Sequence, residues 1–397
     1  MPTALVLDGQ SGPALSVTRS LGRAGWRVLA AEGTRSARSR YGHGCTLIDA
    51  TQAGFRDSVG ALVSRERIDV VVPCTDAAVG ELWRDTSVLG GARILGGDRR
   101  SAATSLDKTR TLAAADEVGF PTPHWIHPAT KSEALAAIRA IGFPCVVKPI
   151  TSYVPESSSL RHRRHVVVRD EAEAQAALTT LSGPGLALPL IQEFVPGRSL
   201  AVTAVLHGGR VLGMVARETL SFSPVSGGTS VWKRTIAPTE PGVRQAVELL
   251  QALDYEGLAE VEYQVPADGI PRLMEIGARA HGWLGLAIAA GVDLPLIAAS
   301  VLVGEQVPPP AREYKIGCEM RWVAGELSRL RVAISRRPEL PPDVTRLRIL
   351  RSAWPPWRPG MRYDGIHLRD PGPWLSPPRK APHEADGLRP VASPSEV

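Results

Sequence analysis

The sequence predicts an α/β protein in two parts, a parallel sheet first and a mixed α+β region after it. Strand-like and helical stretches alternate through the first third of the chain, as at 3–7, 14–24 and 27–31. Such alternation is typical of parallel strands that are joined by helical crossovers. Farther along, the apolar runs 200–206 and 211–219 follow each other without a helix, which indicates antiparallel strands.

Length and composition predict several domains. The chain has 397 residues, of which 44% are hydrophobic and 22% are charged, as in globular proteins with a large core. We divide it into an N-terminal α/β domain, a small lobe, a large lobe and a C-terminal extension rich in proline and arginine. The predicted boundaries are 1–106, 107–190, 191–330 and 331–397.

Several classes of protein are excluded by what the sequence lacks. No apolar run approaches the roughly 20 residues of a membrane helix, and the segment Met1–Asp8 has no basic leader. The four cysteines are far apart and show no Cys-x-x-Cys spacing. We therefore expect a cytoplasmic protein without a membrane segment or structural zinc.

The net charge of +6 is concentrated at one end of the chain. Residues 331–397 contain 12 basic and 7 acidic residues, so the preceding body is nearly neutral. The body shows no basic stripe with aromatic readers, which argues against nucleic-acid binding. A nucleic-acid role for the extension and assembly into a homo-oligomer stay open as alternatives.

Two glutamates lie on neighbouring strand-like segments that a short polar turn connects. Glu262 stands in 258–263 and Glu275 in 273–279, and the turn 267–271 between them predicts a β-hairpin. Two adjacent carboxylates repel each other, and a divalent cation between them removes that repulsion. The alternative is a pair of surface acids on the solvent face of the hairpin.

Two lysines and one strand-to-turn segment have the chemistry of a nucleotide site. Lys148 ends the apolar strand 145–148, and Lys108 opens a helix after Asp107. Ammonium groups bind phosphates as point charges, although a single lysine is more often a surface side chain. The segment 191–197 is a strand that ends in a Pro-Gly turn, where unpaired backbone groups could bind a flat heterocycle.

Other polar residues favour structural roles. The turn 9–13 lacks the full glycine fingerprint of a dinucleotide site, so a tight turn without a ligand is the favoured interpretation. The histidine pairs 124/127 and 162/165 lie in extended or loop segments, which argues against zinc. His281 is either a catalytic base or a residue of a cleft wall. Glu260 alternates with the first hairpin glutamate and competes with it for a metal.

Five short segments resemble, in order and spacing, the ATP-grasp proteins, most closely their carboxylate–amine ligases. They are Leu-Asp-Lys-Thr-Arg at 106–110, Val-Val-Lys-Pro at 146–149, Gln-Glu-Phe-Val-Pro-Gly at 192–197, Val-Glu-Tyr at 261–263 and Met-Glu-Ile-Gly-Ala-Arg at 274–279. The resemblance extends to about residue 305. It implies an N-terminal parallel-sheet domain before a two-lobed ATP-grasp fold, with ATP between the lobes.

The resemblance also implies roles for individual side chains. Glu262 and Glu275 are similar to the ligands of Mg²⁺ or Mn²⁺, and Arg279 is similar to the arginine that steadies the transferred phosphoryl group. Arg217, with the loop 226–228, is a candidate for binding the substrate carboxylate. The residues that resemble the nucleotide contacts are Lys108, Lys148, Gln192, Glu193, Phe194, Val195 and Ser199.

The chain departs from the family pattern in two places. The family usually has an asparagine two residues after the second acid, where Gly277 offers no side-chain ligand. The family's phosphate-covering loop is usually glycine-rich, whereas residues 149–164, which we expect to form a polar loop, contain no glycine. Serine hydroxyls with Arg161, Arg163 and Arg164 are candidates to hold phosphates instead.

We therefore expect an ATP- and Mg²⁺-dependent ligase that joins a small-molecule carboxylate to an amine through an acyl phosphate. The substrates are expected to be amino acids or peptide-like molecules. Lysines, an arginine and a metal supply the positioning and charge neutralisation that phosphoryl transfer needs. The alternatives are a degenerate module that binds nucleotide without ligating, and a carboxylase-type enzyme that activates bicarbonate.

Overall fold

The computed structural model describes residues 1–156, 159–183, 185–225, 227–306, 313–335, 340, 344–353 and 360–375. One predicted site residue, Ser226 of the substrate loop, lies outside these residues. Within the described residues, no helix has the length and apolar character needed to span a membrane.

The N-terminal region is the predicted parallel α/β sheet. Its elements are β1 (Thr3–Val6), α1 (Gly12–Arg23), β2 (Arg27–Ala31), β3 (His43–Cys45), α2 (Phe55–Glu66), β4 (Val70–Val72), α3 (Asp76–Arg84), β5 (Arg93–Ile94) and α4 (Arg99–Leu106). The strands pair in parallel in the order β3-β2-β1-β4-β5. Ser11 caps the start of α1 by accepting a hydrogen bond from the Ala14 N–H, so the β1–α1 turn is rigid.

The small lobe contains a four-stranded sheet of order β10-β7-β11-β6. Its elements are α5 (Lys108–Glu117), β6 (Trp125–Ile126), α6 (Lys131–Ile141), β7 (Cys145–Lys148), β8 (Tyr153–Glu156), β9 (Ser159–His162), β10 (Val166–Val168), α7 (Glu171–Leu181) and β11 (Leu190–Glu193). Val147 and Ile191 pack against α6 and α7. Strand alternation therefore turns Lys148 and Gln192 to the opposite face. Because β11 pairs with β7, residues 191–193 belong to this sheet.

The expected polar loop at 149–164 is wrong in part, because β8 and β9 form a two-stranded hairpin. The hairpin lies on the N-terminal region, where the Leu160 N–H donates to Thr51 O at 2.8 Å. Tyr153 and Leu160 pack against the apolar core of that region. A two-stranded hairpin has marginal stability by itself. This one depends on its contacts with the N-terminal region, and the polar sequence of 149–164 did not predict it.

The large lobe contains a seven-stranded sheet of order β16-β15-β12-β13-β14-β17-β18. Its elements are β12 (Arg198–His207), β13 (Arg210–Ser223), β14 (Thr229–Thr235), α8 (Val243–Ala252), β15 (Gly257–Val265), β16 (Arg272–Gly277), α9 (Leu284–Ala289), α10 (Leu294–Leu302), β17 (Glu319–Arg321), α11 (Val323–Ile334), α12 (Arg346–Ala353) and β18 (Arg362–Tyr363). The predicted acidic hairpin, β15–β16, is confirmed. The predicted C-terminal extension contributes the short helix α12 and the strand β18.

The two faces of this sheet differ in chemistry. Val202, Val261 and Ile276 lie on the apolar face, which packs with α8. Residues one position away alternate to the other face, so Arg217 and Glu262 share it. The polar face looks toward the N-terminal region, and this orientation creates the site.

The C-terminal segment, residues 360–375, is held against the N-terminal region by a buried ion pair. Asp370 is 1% exposed and accepts hydrogen bonds from Arg19 Nε at 2.7 Å and Ser39 Oγ at 2.8 Å. The Arg40 backbone N–H donates to the same carboxylate at 2.8 Å. These bonds fix the segment against α1 and the loop after β2.

Candidate active site

The two glutamates of the acidic hairpin lie directly opposite each other. Glu262 pairs with Glu275 across β15 and β16, so both side chains are on the polar face of the sheet. Glu260 pairs with Gly277 one rung away, and is itself buried. The side chain of Glu262 is 45% exposed, which makes it the accessible member of the first strand.

Arg217 neutralises part of this negative charge. Its Nη2 donates to Glu262 Oε1 at 2.9 Å and to Glu260 Oε1 at 3.2 Å. The guanidinium carbon also lies 5.4 Å from the ring centroid of Trp283, whose indole N–H donates to Glu260. Ala201 of β12 lies between Arg217 and Glu262 on the same rung of the sheet. Its small side chain leaves room for the Arg217 side chain to cross to Glu262. The role of Arg217 in binding a substrate carboxylate stays a prediction.

The two acids of β15 have opposite electrostatic environments. Partial desolvation and then the Glu260 charge raise the pKa of Glu262 above its usual range, although Arg217 opposes the shift. Burial also opposes ionisation of Glu260, but His281 and Arg217 lower its pKa to about 2. Negative charge at Glu262 is therefore incompletely neutralised by protein groups, and a bound cation would relieve it.

A divalent cation fits beside this pair when phosphate oxygens complete its coordination. In the described part of the chain, no three or more His, Cys, Asp or Glu side chains are arranged to hold a metal. Mg²⁺ usually binds through one or two carboxylates together with substrate phosphates and water. Glu262 and Glu275 match that donor set. They do not provide enough ligands for a metal site built from protein side chains alone.

The small lobe contributes two buried lysines, one of which contacts the acidic hairpin. Lys148 Nζ donates to the backbone oxygen of Met274, the neighbour of Glu275, at 2.9 Å. Lys108 Nζ donates to Ser152 Oγ at 3.1 Å. Burial lowers the pKa of Lys148 to about 8, and the Lys108 charge adds to this effect while Glu275 opposes it. Lys148 therefore lies beside the hairpin, close enough for the charges of Glu275 and Lys108 to influence its pKa.

This lowered pKa predicts how nucleotide affinity depends on pH. Lys148 is an ammonium below about pH 8 and loses its proton above it, so ATP affinity is expected to fall as the pH rises through 8. In Lys148→Arg the charge persists, and the affinity should stay nearly constant up to about pH 9.5. Isothermal titration with a non-hydrolysable ATP analogue measures both curves. Equal pH dependence in the two proteins would contradict the role of Lys148.

The residues predicted to contact adenine and ribose lie at the end of β11, in the turn after it and in β12. Gln192 is 2% exposed, and among the described residues its Nε2 has no hydrogen-bond partner. Glu193 Oε2 accepts from the His124 N–H at 3.1 Å, and Phe194 is exposed. Val195 follows in the turn, and Ser199 of β12 pairs with Thr219 and Gln264. Their contacts with a nucleotide stay predictions.

Arg279 is oriented by a residue of the N-terminal region. Its Nε donates to Asp76 Oδ1 at 2.5 Å, and Asp76 opens α3. Burial opposes the ionisation of Asp76, but the Arg279 charge lowers its pKa to about 2. Asp76 did not stand out in the sequence, because 203 positions separate it from Arg279 and only domain packing brings the two together.

A cavity of about 900 Å³ lies between the N-terminal region, the polar sheet face and the C-terminal segment. Asp8, Arg217, Glu262, Lys233 and Asp364 are among its lining residues. Lys233 was missed in the sequence because β14 was not predicted. It is 3% exposed, and its Nζ donates to Gly282 O at 2.9 Å. The cavity is large enough for a small-molecule substrate beside the hairpin.

His281 lies in the wall of the cavity. Its Nε2 is 2.8 Å from Thr203 Oγ1, and Nδ1 has no hydrogen-bond partner among the described residues. Burial lowers the pKa of His281 to about 4, which leaves the ring neutral near pH 7. This environment favours the cleft-wall interpretation over an effective general base.

Comparisons with known proteins agree with the fold. A family model described as ATP-grasp in the biosynthetic pathway with Ter operon matches residues 188–326. The formate-dependent phosphoribosylglycinamide formyltransferases of Burkholderia thailandensis and Burkholderia pseudomallei are 30% identical over 176 residues, which cover 44% of this chain and 41% of each relative. The match therefore spans about two fifths of these curated relatives.

Two solved structures have a similar fold at low sequence identity. Biotin carboxylase of Campylobacter jejuni has a TM-score of 0.62 and 15% identity, and the alignment covers 80% of this chain and 74% of that one. An N5-carboxyaminoimidazole synthetase of Staphylococcus aureus has a TM-score of 0.60 and 15% identity, with 80% of each chain covered.

Proposed function

We propose that this chain, whose residues 188–326 match an ATP-grasp family model, is an ATP-dependent ligase that joins a small-molecule carboxylate to an amine. One observation carries the proposal. The paired acids Glu262 and Glu275 lie beside Lys148, which donates to the backbone oxygen of Met274, and a cavity of about 900 Å³ opens next to Glu262. Phosphoryl transfer needs this combination of cations, metal ligands and an adjoining acceptor space.

The side chains have distinct tasks in the proposed reaction. Lys108 and Lys148 bind the nucleotide phosphates, and Arg279, oriented by Asp76, stabilises the transferred phosphoryl group. Mg²⁺ bound by the two hairpin acids would neutralise charge on the triphosphate. The substrate carboxylate attacks the γ-phosphorus, and ADP leaves. The amine nitrogen then attacks the acyl carbon, loses a proton and expels phosphate, which forms the amide.

A trapping experiment tests the first half of the reaction without knowledge of the amine. The protein is incubated with ATP, Mg²⁺, hydroxylamine and a panel of amino acids, peptides and simple carboxylic acids. Hydroxylamine converts an acyl phosphate to a hydroxamate, so we expect ADP and hydroxamate in equal amounts with the correct carboxylate. ATP binding without ADP release across the panel would instead favour the non-catalytic nucleotide-binding module.

The carboxylase alternative makes a different prediction in the same assay. ADP release that depends on bicarbonate and needs no organic carboxylate would identify a carboxylase-type reaction. The similarity to a biotin carboxylase structure, at 15% identity, supports a shared fold and not a shared substrate.

Gly277 offers a gain-of-function test of the metal assignment. A Cβ at this position would lie 3.9 Å from Glu260 Cβ, an ordinary contact, so a side chain fits there. Asparagine would add an amide oxygen to the rung beside Glu262. We expect Gly277→Asn to bind Mg²⁺ about 3- to 10-fold more tightly in the presence of ATP, and Gly277→Ala to match the wild type. A Mg²⁺ titration of ATP binding measures both, and unchanged affinity in the asparagine variant would count against the site.

A further inference from the structure

The active-site cavity has apolar side chains that the proposed reaction steps do not use. Val323 and Leu327 lie one turn apart on α11, and both line the cavity. These residues are 37% and 51% exposed. Ile48, in the loop after β3, lines the same cavity from the N-terminal region and is also exposed. Apolar side chains from two distant parts of the chain therefore meet solvent in one cavity.

The C-terminal segment adds aromatic surface to these side chains. Trp374 lines the cavity and is 45% exposed, and its indole N–H donates to Gly365 O at 2.9 Å. The Asp364 N–H donates to Arg321 O at 2.7 Å, which places the segment beside Trp322, another lining residue. We define the apolar wall of the cavity as Ile48, Trp322, Val323, Leu327 and Trp374.

The apolar wall belongs to the same cavity as the first acid of the hairpin. Arg217 and Glu262 both line this cavity. Arg217 is 2% exposed, and its Nε has no hydrogen-bond partner among the described residues. An anionic group is the natural partner for this remaining N–H. The volume of about 900 Å³ is far more than a short carboxylic acid fills, since sites of roughly 300–1,000 Å³ bind drug-sized ligands.

Net charge does not distinguish one substrate from another in this cavity. Among the described residues that line it, the four cationic side chains are Arg35, Arg217, Lys233 and Arg279, and five are Asp or Glu carboxylates. Opposite charges are therefore nearly balanced. A substrate with several charges of one sign gains little from such a balanced field. The apolar wall, by contrast, can select the side group of a substrate.

On the basis of the proposed function, we infer that the carboxylate substrate carries a large apolar side group, about the size of a phenyl or indole ring, which binds on the apolar wall. Its carboxylate lies by Arg217, and the side group contacts Leu327 and Trp374. Burial of this group removes apolar surface of both ligand and protein from water. Tryptophan rings also pack favourably with an aromatic group. The apolar wall does not touch the reacting atoms, so it determines specificity.

Binding of matched carboxylic acids tests the inference independently of catalysis. The full chain is saturated with a non-hydrolysable ATP analogue and Mg²⁺, and propionate, 3-phenylpropionate and indole-3-propionate are titrated calorimetrically. We expect both aromatic acids to bind at least about 10-fold more tightly than propionate. In Leu327→Gln and in Trp374→Ser, this preference should fall at least about 3-fold. Equal binding of the three acids by the wild type would overturn the inference.

Ile334→Gln is the matched control for a polar substitution on the same helix. Ile334 is 73% exposed at the end of α11, but it does not line the cavity. This variant should keep the wild-type preference for aromatic acids. A loss of preference as large as that in Leu327→Gln would show that the probes bind exposed apolar surface without specificity, and would overturn the inference.

Two further outcomes separate this inference from the proposed function and from an interface between copies of the chain. If the preference for aromatic acids appears but no carboxylate yields a hydroxamate, the ligase assignment fails and the aromatic-acid site stands. If hydroxamate forms no faster from aromatic acids than from propionate, the ligase stands and the inference fails. An unchanged preference in Leu327→Gln, with an altered oligomeric state in light scattering, would assign the apolar wall to a second copy and overturn the inference.

Discussion

Glu275→Gln is expected to lower Mg²⁺-dependent ATP turnover by at least about 100-fold while leaving the fold intact. The substitution keeps the side-chain shape but removes the charge that faces Glu262 across the hairpin. Loss of a carboxylate ligand weakens the metal that neutralises the phosphates, an effect of several kcal/mol in comparable sites. ADP release in the hydroxylamine assay measures turnover, and thermal unfolding with ATP, with and without Mg²⁺, measures binding.

A second prediction concerns the thermal stability of Glu275→Gln without ligands. Because two like charges no longer oppose each other, the variant without ligands should be at least as stable as the wild type. Asp268→Asn is the control, since it removes one carboxylate charge from the exposed turn of the same hairpin, where Asp268 pairs with Arg272. It should retain Mg²⁺-dependent turnover. Near-normal turnover in Glu275→Gln would show that this acid is not a metal ligand.

Arg217→Met is expected to destabilise the folded protein by about 3–5 kcal/mol at pH 7, because it leaves Glu260 as a buried carboxylate without its cation. The Arg217 side chain is 3% exposed and that of Glu260 is 10% exposed, so water replaces the lost ion pair poorly. Urea unfolding gives the free energy of unfolding for both proteins.

The pH dependence of this loss has a definite sign. The lowered pKa of Glu260 stabilises the wild-type fold above its unfolded value of 4.5, and this contribution is lost as the pH falls toward 2. The difference between the wild type and Arg217→Met should therefore shrink as the pH is lowered from 7 toward 4. A difference that is constant over this range would mean that Arg217 acts through packing and not through its charge.

Arg198→Met is the matched control for removing a paired arginine from the same sheet. Arg198 donates to Glu218 and Glu240, but its side chain is 43% exposed. Exposed ion pairs usually contribute less than about 1 kcal/mol, so this variant should lose little stability. A loss as large as that of Arg217→Met would show that burial is not the deciding factor.

Sequence patterns predicted the elements that are formed by residues close together in the chain. The parallel N-terminal sheet followed from alternating strands and helices, and the hairpin 257–277 followed from two apolar strands around a polar turn. Strand β14 and the hairpin β8–β9 were missed, because their polar residues are stabilised by neighbours far away in the chain. Tyr153 and Leu160, for example, are apolar partners for a core built by residues 5–94.

The amino-acid sequence by itself predicted the acidic hairpin, the two lysines of the small lobe and the resemblance to ATP-grasp proteins. These features depend on residues that are close together in the sequence and on the alternation of side chains along a strand. Only the tertiary structure decided that Asp76 orients Arg279, that Arg217 joins two glutamates, and that Asp364 lies at the start of α1. Those contacts join residues that are far apart in the sequence, and only the packing of strands and domains brings them together.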